Sequence, residues 1–311
     1  MSCAVLILNW NGGKDTVDCL RSLLPSLEAN DYVFIIDNGS VDESVTIIKQ
    51  FLESEAGGCG ITKSEDLLTV FNVKQKFYLC QNKTNLGFGG GNNTVLKQLL
   101  KLAANFEMAW LLNNDAFADN QSLPSLKKAL QGDQKIAVAG SLILNFPATD
   151  TVQCTGVKHY KWIGVSKLIN KNLPLDTVDL RAPIAFDYLN GASLMLRLEA
   201  LELCGYFDES FFLYSEELDL QLRMQEKGYL LYLDLESKVR HKLSGGTSSN
   251  RSLFYYYYNA SAILLNRKHY SRLVVLISVI GLMAITVLRA FPSFKNIKGG
   301  FAGIYKGLTK E

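Results

Sequence analysis

Apolar runs of strand length alternate with segments of helical period along the first part of the chain: 4–8, then 16–27, 32–36 and 44–52. That alternation predicts βαβ units, and with them an α/β fold whose mostly parallel sheet carries helices on both faces. Further strands are expected at 77–80, 108–112 and 136–141, and a helix at about 92–104. Between 54 and 75 the pattern fades into glycine and charged residues, which predicts a surface insertion. The stretch 145–184 is weakly periodic and punctuated by Pro147, Pro174 and Pro183, so loops and short antiparallel strands are expected there. Near the end, 273–288 is an uninterrupted apolar run bracketed by Arg272 and Arg289. It falls slightly short of the roughly 20 residues that cross a bilayer.

Composition narrows the classes. A chain of 311 residues can hold one large α/β domain with an appendage, or two modest domains. A formal net charge of +2 is too slight for a nucleic-acid partner, which normally requires a broad basic surface. The six cysteines are scattered with no C-x-x-C pair, against a zinc site or a secreted disulfide framework and in favour of a reducing cytosol. The opening apolar run is too short for a signal sequence and reads as the first strand.

Chemistry is concentrated where predicted strands end. The strand 32–36 runs into Asp37-Asn38-Gly39-Ser40 with Asp42 behind it, which puts a carboxylate at the sheet edge where open α/β folds bind ligands. The same residues also suit an Asx-turn and a helix cap. Asn85-Leu86-Gly87-Phe88-Gly89-Gly90-Gly91-Asn92-Asn93 follows the next strand, and its bare amides ahead of a helix could face an anion or form only a flexible, Asn-capped loop. A dinucleotide fingerprint started at Gly87 fails, because its third glycine would fall on Asn92.

Trp110-Leu111-Leu112-Asn113-Asn114-Asp115 is an apolar strand that stops in three short polar side chains. Asp115 could be the carboxylate that holds Mg²⁺ or Mn²⁺ against phosphate oxygens, or the segment could be a plain polar turn. Further on, Phe211-Phe212-Leu213-Tyr214 precedes Ser215, a plausible N-cap, and Glu216, Glu217 and Asp219 in the first helical turn, with Arg223 placed to pair with Asp219. An aromatic wall beside carboxylates raises their pKa toward that of a general base. His241, expected beyond a strand at 229–233 and followed by Gly245-Gly246, is either structural or a contact to metal or diphosphate.

Taken in order, these segments resemble glycosyltransferase family 2, most closely its bacterial rhamnosyltransferase-like branch. The matching stretches are V-L-I-L-N-W-N-G at 5–12, which carries Asn9 and Asn11, I-D-N-G-S-V-D-E-S at 36–44, 85–93, 111–115 and G-Y-F-D-E-S-F-F-L-Y-S-E-E-L-D-L-Q-L-R at 205–223. The resemblance implies a GT-A fold over 1–246 and an inverting transfer from a nucleotide sugar. It implies nucleotide-sugar contacts at Asn9, Asn11, Asp37, Asn38, Asn85, Gly87, Gly90, Asn92, Asn113 and Asn114. Asp115 and His241 would hold Mg²⁺ or Mn²⁺, and Glu217 would be the catalytic base. Glu216, Asp219, Tyr214 and Asn190 would form the acceptor wall. Two positions depart from the family pattern: Asn113 replaces the first aspartate of the metal motif, and Glu217 the commoner aspartate of the base.

The donor implied is dTDP-rhamnose or a UDP-linked sugar, and the acceptor a hydroxyl of a glycan, in cell-surface polysaccharide synthesis. Phe254 and the tyrosines 255–258 ahead of the apolar run, with Lys295, Lys298, Lys306 and Lys310 after it, suit a membrane boundary. They predict a helical segment at 247–311 lying on the cytoplasmic face of the inner membrane, with a lipid-linked acceptor. The rival from another class is a non-catalytic nucleotide-sugar or carbohydrate binder on the same fold.

Overall fold

The computed structural model describes residues 2–147, 150–181, 184–243 and 250–310. The chain opens with β1 (Ser2–Asn9), α1 (Gly13–Leu23), β2 (Asp31–Asp37), α2 (Ser44–Glu55), β3 (Gly60–Lys63), α3 (Leu67–Val70), β4 (Phe77–Gln81), α4 (Gly87–Leu99) and β5 (Phe106–Asn113). It continues through β6 (Ala116–Ala118), α5 (Ser122–Gly132), β7 (Ile136–Asn145), β8 (Val152–Cys154), β9 (Val157–Tyr160), β10 (Val165–Leu168) and β11 (Ser193–Arg197). After α6 (Leu198–Cys204), α7 (Glu216–Glu226) and β12 (Leu230–His241), three helices close the chain: α8 (Arg251–His269), α9 (Arg272–Ala290) and α10 (Phe294–Thr309).

The main sheet has ten strands in the order β3-β4-β2-β1-β5-β11-β7-β12-β6, with β8 joined to β7. Strands β3, β4, β2, β1 and β5 are parallel, and β11 runs antiparallel between β5 and β7. Along β1, Cys3, Val5 and Ile7 enter one core while Ala4 and Leu6 enter the other, so the sheet is covered on both faces and its strands read as unbroken apolar runs. From β1 the chain winds outward through β2 and then crosses back to β5 on the other side. The order therefore reverses between β1 and β5, and the crevice beyond their carboxyl ends is where such sheets bind ligands.

Several boundaries differ from the sequence expectation. Helix α1 stops at Leu23 rather than 27, because Pro25 has no N–H to continue the helical bonding and a short 3₁₀ turn takes over at Leu24. The 54–75 stretch is not merely an insertion, since β3 extends the sheet beside β4. Four residues are too few to show a period. Helix α4 begins at Gly87, five residues before the expected start, so the glycine run is the helix itself and Asn92 lies inside it. Strand β12 carries His241 at its own end, not beyond it. The 145–184 stretch forms β8 and the antiparallel β9–β10 hairpin, as its pattern predicts, while Pro183 lies outside the described residues. All six cysteines are free.

Candidate active site

The end of β1 meets the end of β2 through side chains. Asn9, fully buried, donates to the Asp37 carboxylate at 2.8 Å and to Ser40 Oγ at 3.1 Å. Its carbonyl oxygen accepts from Thr16 Oγ1 at 2.9 Å and from the Gly12 amide at 3.2 Å. Asn9 therefore orients Asp37 and leaves no polar atom of its own for a nucleotide. Asp37, buried by Asn9 and the Ser40 amide, stands at the mouth of the crevice. Asn114 extends the chain of contacts to β5 by donating to Thr16 Oγ1 at 3.2 Å, and it keeps partial exposure. Asn11 is exposed with φ 52° and accepts from the Val41 amide.

At the end of β5 the Asn113–Asp115 turn meets His241 from β12. His241 Nδ1 lies 2.9 Å from Gln153 Oε1, and Gln153 Nε2 donates back to the His241 carbonyl at 3.0 Å. Gln153 can only accept through Oε1, so the imidazole proton sits on Nδ1 and the Nε2 lone pair turns inward. That atom is 3.0 Å from Asp115 Oδ1 and 3.2 Å from Asn113 Nδ2. A lone pair facing a carboxylate at 3.0 Å is repulsive unless a proton or a cation lies between them. The imidazole nitrogen and the carboxylate oxygen lie close enough together for both to contact one hard divalent cation. Among the described residues no third His, Cys, Asp or Glu joins them. Gly245 and Gly246, the sequence neighbours of this histidine, lie outside the described residues.

Glu217 is the second residue of α7, in its first turn. A Cβ added to Gly191 would sit 3.8 Å from Glu217 Oε1, and Ala192 accepts from the Asn113 amide at 3.0 Å. One loop therefore links the glutamate to the Asn113–Asp115 turn across β11 and β5. Desolvation raises the Glu217 carboxyl to about 7, while the residue as a whole is only partly buried. Glu216 is buried, with Oε2 lacking any hydrogen-bond partner, and burial followed by repulsion from Glu217 pushes its carboxyl well above the ordinary range. Asn190 folds its side chain onto the Ala192 amide at 2.9 Å and shapes the same loop.

The glycine run has a different purpose from the anion cradle its sequence suggests. Gly87 has φ 77°, and a Cβ there would meet the Phe212 carbonyl oxygen at 2.0 Å. Gly89 lies so close to Phe207 that its Cβ would approach to 2.8 Å. The run lets α4 dock backbone-close against the 207–212 loop that leads to Glu217. Its leading amides are already bonded: Leu86 to Asn38 Oδ1, Gly87 to Asn85 Oδ1 and Phe88 to the Phe212 carbonyl. Gly87 and Gly90 are buried, as are Asn38 and Asn92, and these four lie within the loop assembly between α4 and the 207–212 loop. Asn85 serves the same clamp through Asn38 at 3.0 Å.

Two more assignments change. Asp219 is fully buried and paired with Lys268 at 2.7 Å, Arg223 at 2.8 Å and His269 at 2.9 Å, which places it behind the acceptor wall. Burial alone would raise its carboxyl, but His269, Lys268 and Arg223 outweigh that and bring it down to about 2. Tyr214 packs edge-on against Phe254 and Tyr258 of α8, while Phe212 stacks on Tyr257 at 4.8 Å. Tyr258 also accepts from the Ser166 amide. These α8 aromatics pack against the loop that leads into α7. Sequence reasoning missed Gln153 and Gly191. Gln153 sits on a three-residue strand in a stretch without period, and Gly191 carries no chemistry of its own.

The family model for glycosyl transferase family 2 matches residues 4–178. No curated protein matches the sequence. Among solved structures, TarS 1-349 from S. aureus aligns over 99% of this chain and 81% of its own, at 12% identity and TM-score 0.54. Mannosyltransferase PcManGT from Pyrobaculum calidifontis, solved with GDP-Man and Mn2+, aligns over 99% and 88% at 11% identity and TM-score 0.59. GalNAc-T7, solved with UDP, GalNAc and Mn2+, aligns over 86% of this chain and 48% of its own at 14% identity and TM-score 0.58. With a parallel sheet switched between β1 and β5 and a family match over more than half its length, the chain belongs to glycosyl transferase family 2 and has the GT-A fold.

Proposed function

We propose that this glycosyltransferase transfers a sugar from a nucleoside-diphosphate donor to an acceptor hydroxyl by a single inverting displacement, with Glu217 as the base. The observation that carries the proposal is the position of Glu217: a carboxyl raised to about 7 by burial, one loop away from the Asp115–His241 pair. A base poised near neutral pH can accept a proton from a hydroxyl as that oxygen attacks. The acceptor oxygen forms its bond to the anomeric carbon from the face opposite the diphosphate, the bond to the departing phosphate oxygen breaks, and the hydroxyl proton ends on Glu217. Asp37, oriented by Asn9 and Ser40, is the contact for the nucleoside at the β1–β2 edge. Asp115 and His241 are the residues for Mg²⁺ or Mn²⁺, which when bound would supply positive charge to the departing diphosphate.

The donor is dTDP-rhamnose or a UDP-linked sugar. Solved neighbours of this fold carry UDP, UDP-GlcNAc or GDP-Man, two of them beside Mn²⁺, which supports a nucleotide-sugar donor and a divalent metal. The acceptor is a glycan hydroxyl, lipid-linked in cell-surface polysaccharide synthesis, presented against Tyr214 and the α8 tyrosines. The test is release of free nucleoside diphosphate across a panel of nucleotide sugars, with Mn²⁺ and with EDTA. Release from one donor class, dependent on metal and lost in Glu217→Gln, is expected. Tight donor binding without any release or transfer would make the protein a sugar-nucleotide binder.

A further inference from the structure

The C-terminal helices are amphipathic in the reverse sense from a soluble core helix. Along α9 the inward stripe is Val274, Ser278, Leu282, Thr286 and Ala290, and it includes the helix's serine and threonine. Thr286 is bonded to Asn259 of α8 at 2.9 Å, so the inward polar groups are satisfied. Between Leu273 and Leu288 every exposed residue is apolar, with Leu276 59%, Ile280 61% and Leu288 79% exposed. The apolar surface continues through Phe291 and Phe294 at the turn into α10. A patch of this kind marks an interaction face, and its rim says with what. No Asp or Glu occurs between Ser237 and Lys310, whereas Arg272, Arg289, Lys295, Lys298 and Lys306 are all exposed on α9, α10 and their turn.

We propose that α9 and the α9–α10 turn form an in-plane dock for an anionic lipid bilayer. The apolar face enters the headgroup and acyl boundary while the basic rim meets acidic headgroups. Helix α9 is long and apolar enough to cross a membrane by length and composition, but its packing opposes a crossing. Gly281, at the helix midpoint, lies against Ile163, and Leu282 lies against Gly164 of the turn joining β9 to β10. A crossing helix would carry that hairpin, with its Lys158–Asp187 ion pair at 2.8 Å, to the depth of the hydrocarbon. Charged groups at that depth are strongly disfavoured. Lying flat, α9 keeps its packed stripe on the protein and offers only the apolar face. The proposal stands apart from the transfer reaction, since binding to lipid is read without any donor.

The test uses the full chain and vesicles of phosphatidylcholine, with and without phosphatidylglycerol. The protein should float with the anionic vesicles, weakly or not at all with the neutral ones, and less as salt rises. The triple variant Leu276→Glu, Ile280→Glu, Leu288→Glu should lose flotation while its circular dichroism and thermal unfolding stay close to the parent. Neutralising Arg289, Lys295 and Lys298 to Gln should lower partition by on the order of 100-fold. Lys295→Cys, bound to preformed vesicles, should gain labelling by a membrane-impermeant maleimide without detergent, over the background of the parent's own thiols. Labelling that requires detergent would show a crossing and overturn the in-plane dock. Parent protein that ignores anionic vesicles, or a triple-Glu variant that floats equally well, would overturn lipid docking. A dimer that the triple-Glu variant dissociates, without vesicle binding by the parent, would assign the face to a second copy of the chain.

Discussion

Glu217→Gln separates base catalysis from every structural duty of the site. The carboxylate is the active form and the group titrates at about 7. The value of kcat/KM for acceptor should therefore rise with pH to a plateau with its midpoint near 7, falling about tenfold for each unit below it. The amide keeps the size of the side chain beside Gly191 but cannot take the proton, so transfer should fall by roughly 100-fold or more with donor KM nearly unchanged. The residual rate should lack the pH-dependent limb. Stability should move the other way. A carboxyl whose folded pKa lies above its unfolded value contributes most below that unfolded value of 4.5, and its contribution is lost as pH rises through about 7. Glu217→Gln should accordingly raise Tm at pH 8 and leave it unchanged near pH 4. The assay is nucleoside-diphosphate release against pH with a fixed acceptor, alongside a thermal melt at both pH values. A variant that keeps near-parental turnover, or keeps the limb with the same midpoint, would refute the assignment.

Other expectations follow from single contacts. Asp115→Ala should weaken binding of the intact nucleotide sugar far more than of the free nucleoside, measured by calorimetry, and excess EDTA should abolish activity of the parent; full activity in EDTA would assign the diphosphate to protein cations instead. Gly87→Ala should cost more than about 3 kcal/mol in chemical denaturation, because a strained φ adds to a Cβ clash with the Phe212 carbonyl. Gly57→Ala, at nearly the same φ but with open space around it, should cost only about 1 kcal/mol. Asp219→Asn should destabilise by about 3 kcal/mol at pH 7, since it removes the carboxylate that Lys268 and Arg223 pair with and that His269 also contacts. Because Asp219 is depressed from 3.8 to about 2, its contribution is present above about pH 4 and is lost as pH falls toward 2, so the variant's acid-unfolding curve should be flatter across that window.

The alternation of apolar runs located β1, β2, β4, β5 and β7 within a residue or two at most ends, because strands buried on both faces must be apolar throughout. It also carried the ordered motifs, so Asp37, Asp115, Glu217 and His241 were visible as polar residues at strand or helix ends. Burial within the motifs was not visible. Asn9, Asn38 and Asn92 look like nucleotide contacts in sequence, yet Asn9 and Asn38 are closed off by partners from segments distant in the chain, and Asn92 is buried with its side chain donating to the Phe88 carbonyl one turn back. The glycines of α4 look like a phosphate loop because local sequence shows flexibility, whereas the need they meet is a close approach to Phe207 and Phe212, more than a hundred residues away. Asp219 looked like a neighbour of the base because it shares its helical turn. Its rotation by two residues along α7 instead points it at Lys268 and His269 of α8.

That last contact governs how the C-terminal helices should be probed. Helix α8 is joined to the site in four ways: Leu264 and Leu265 lie in the main core, Ser261 donates to the Leu213 carbonyl, Tyr257 stacks on Phe212, and Lys268 and His269 contact the Asp219 carboxylate. Ending the chain at Asn266 would remove Lys268 and His269 from Asp219 together with α10, whose Gly303 packs directly on the Tyr256 backbone. A buried carboxylate would then keep only Arg223, and the loop bearing Tyr214 would lose part of its support. Such a truncation is expected to lose transfer to a soluble acceptor and thermal stability together, so loss of activity there would say nothing about lipid. Substitutions on the exposed face of α9 leave α8 and its contacts in place. They should alter vesicle binding while donor-dependent release of nucleoside diphosphate in solution stays within about twofold of the parent. If face variants and truncation reduce solution activity equally, α9 supports the catalytic wall directly and its apolar face cannot be assigned by flotation alone.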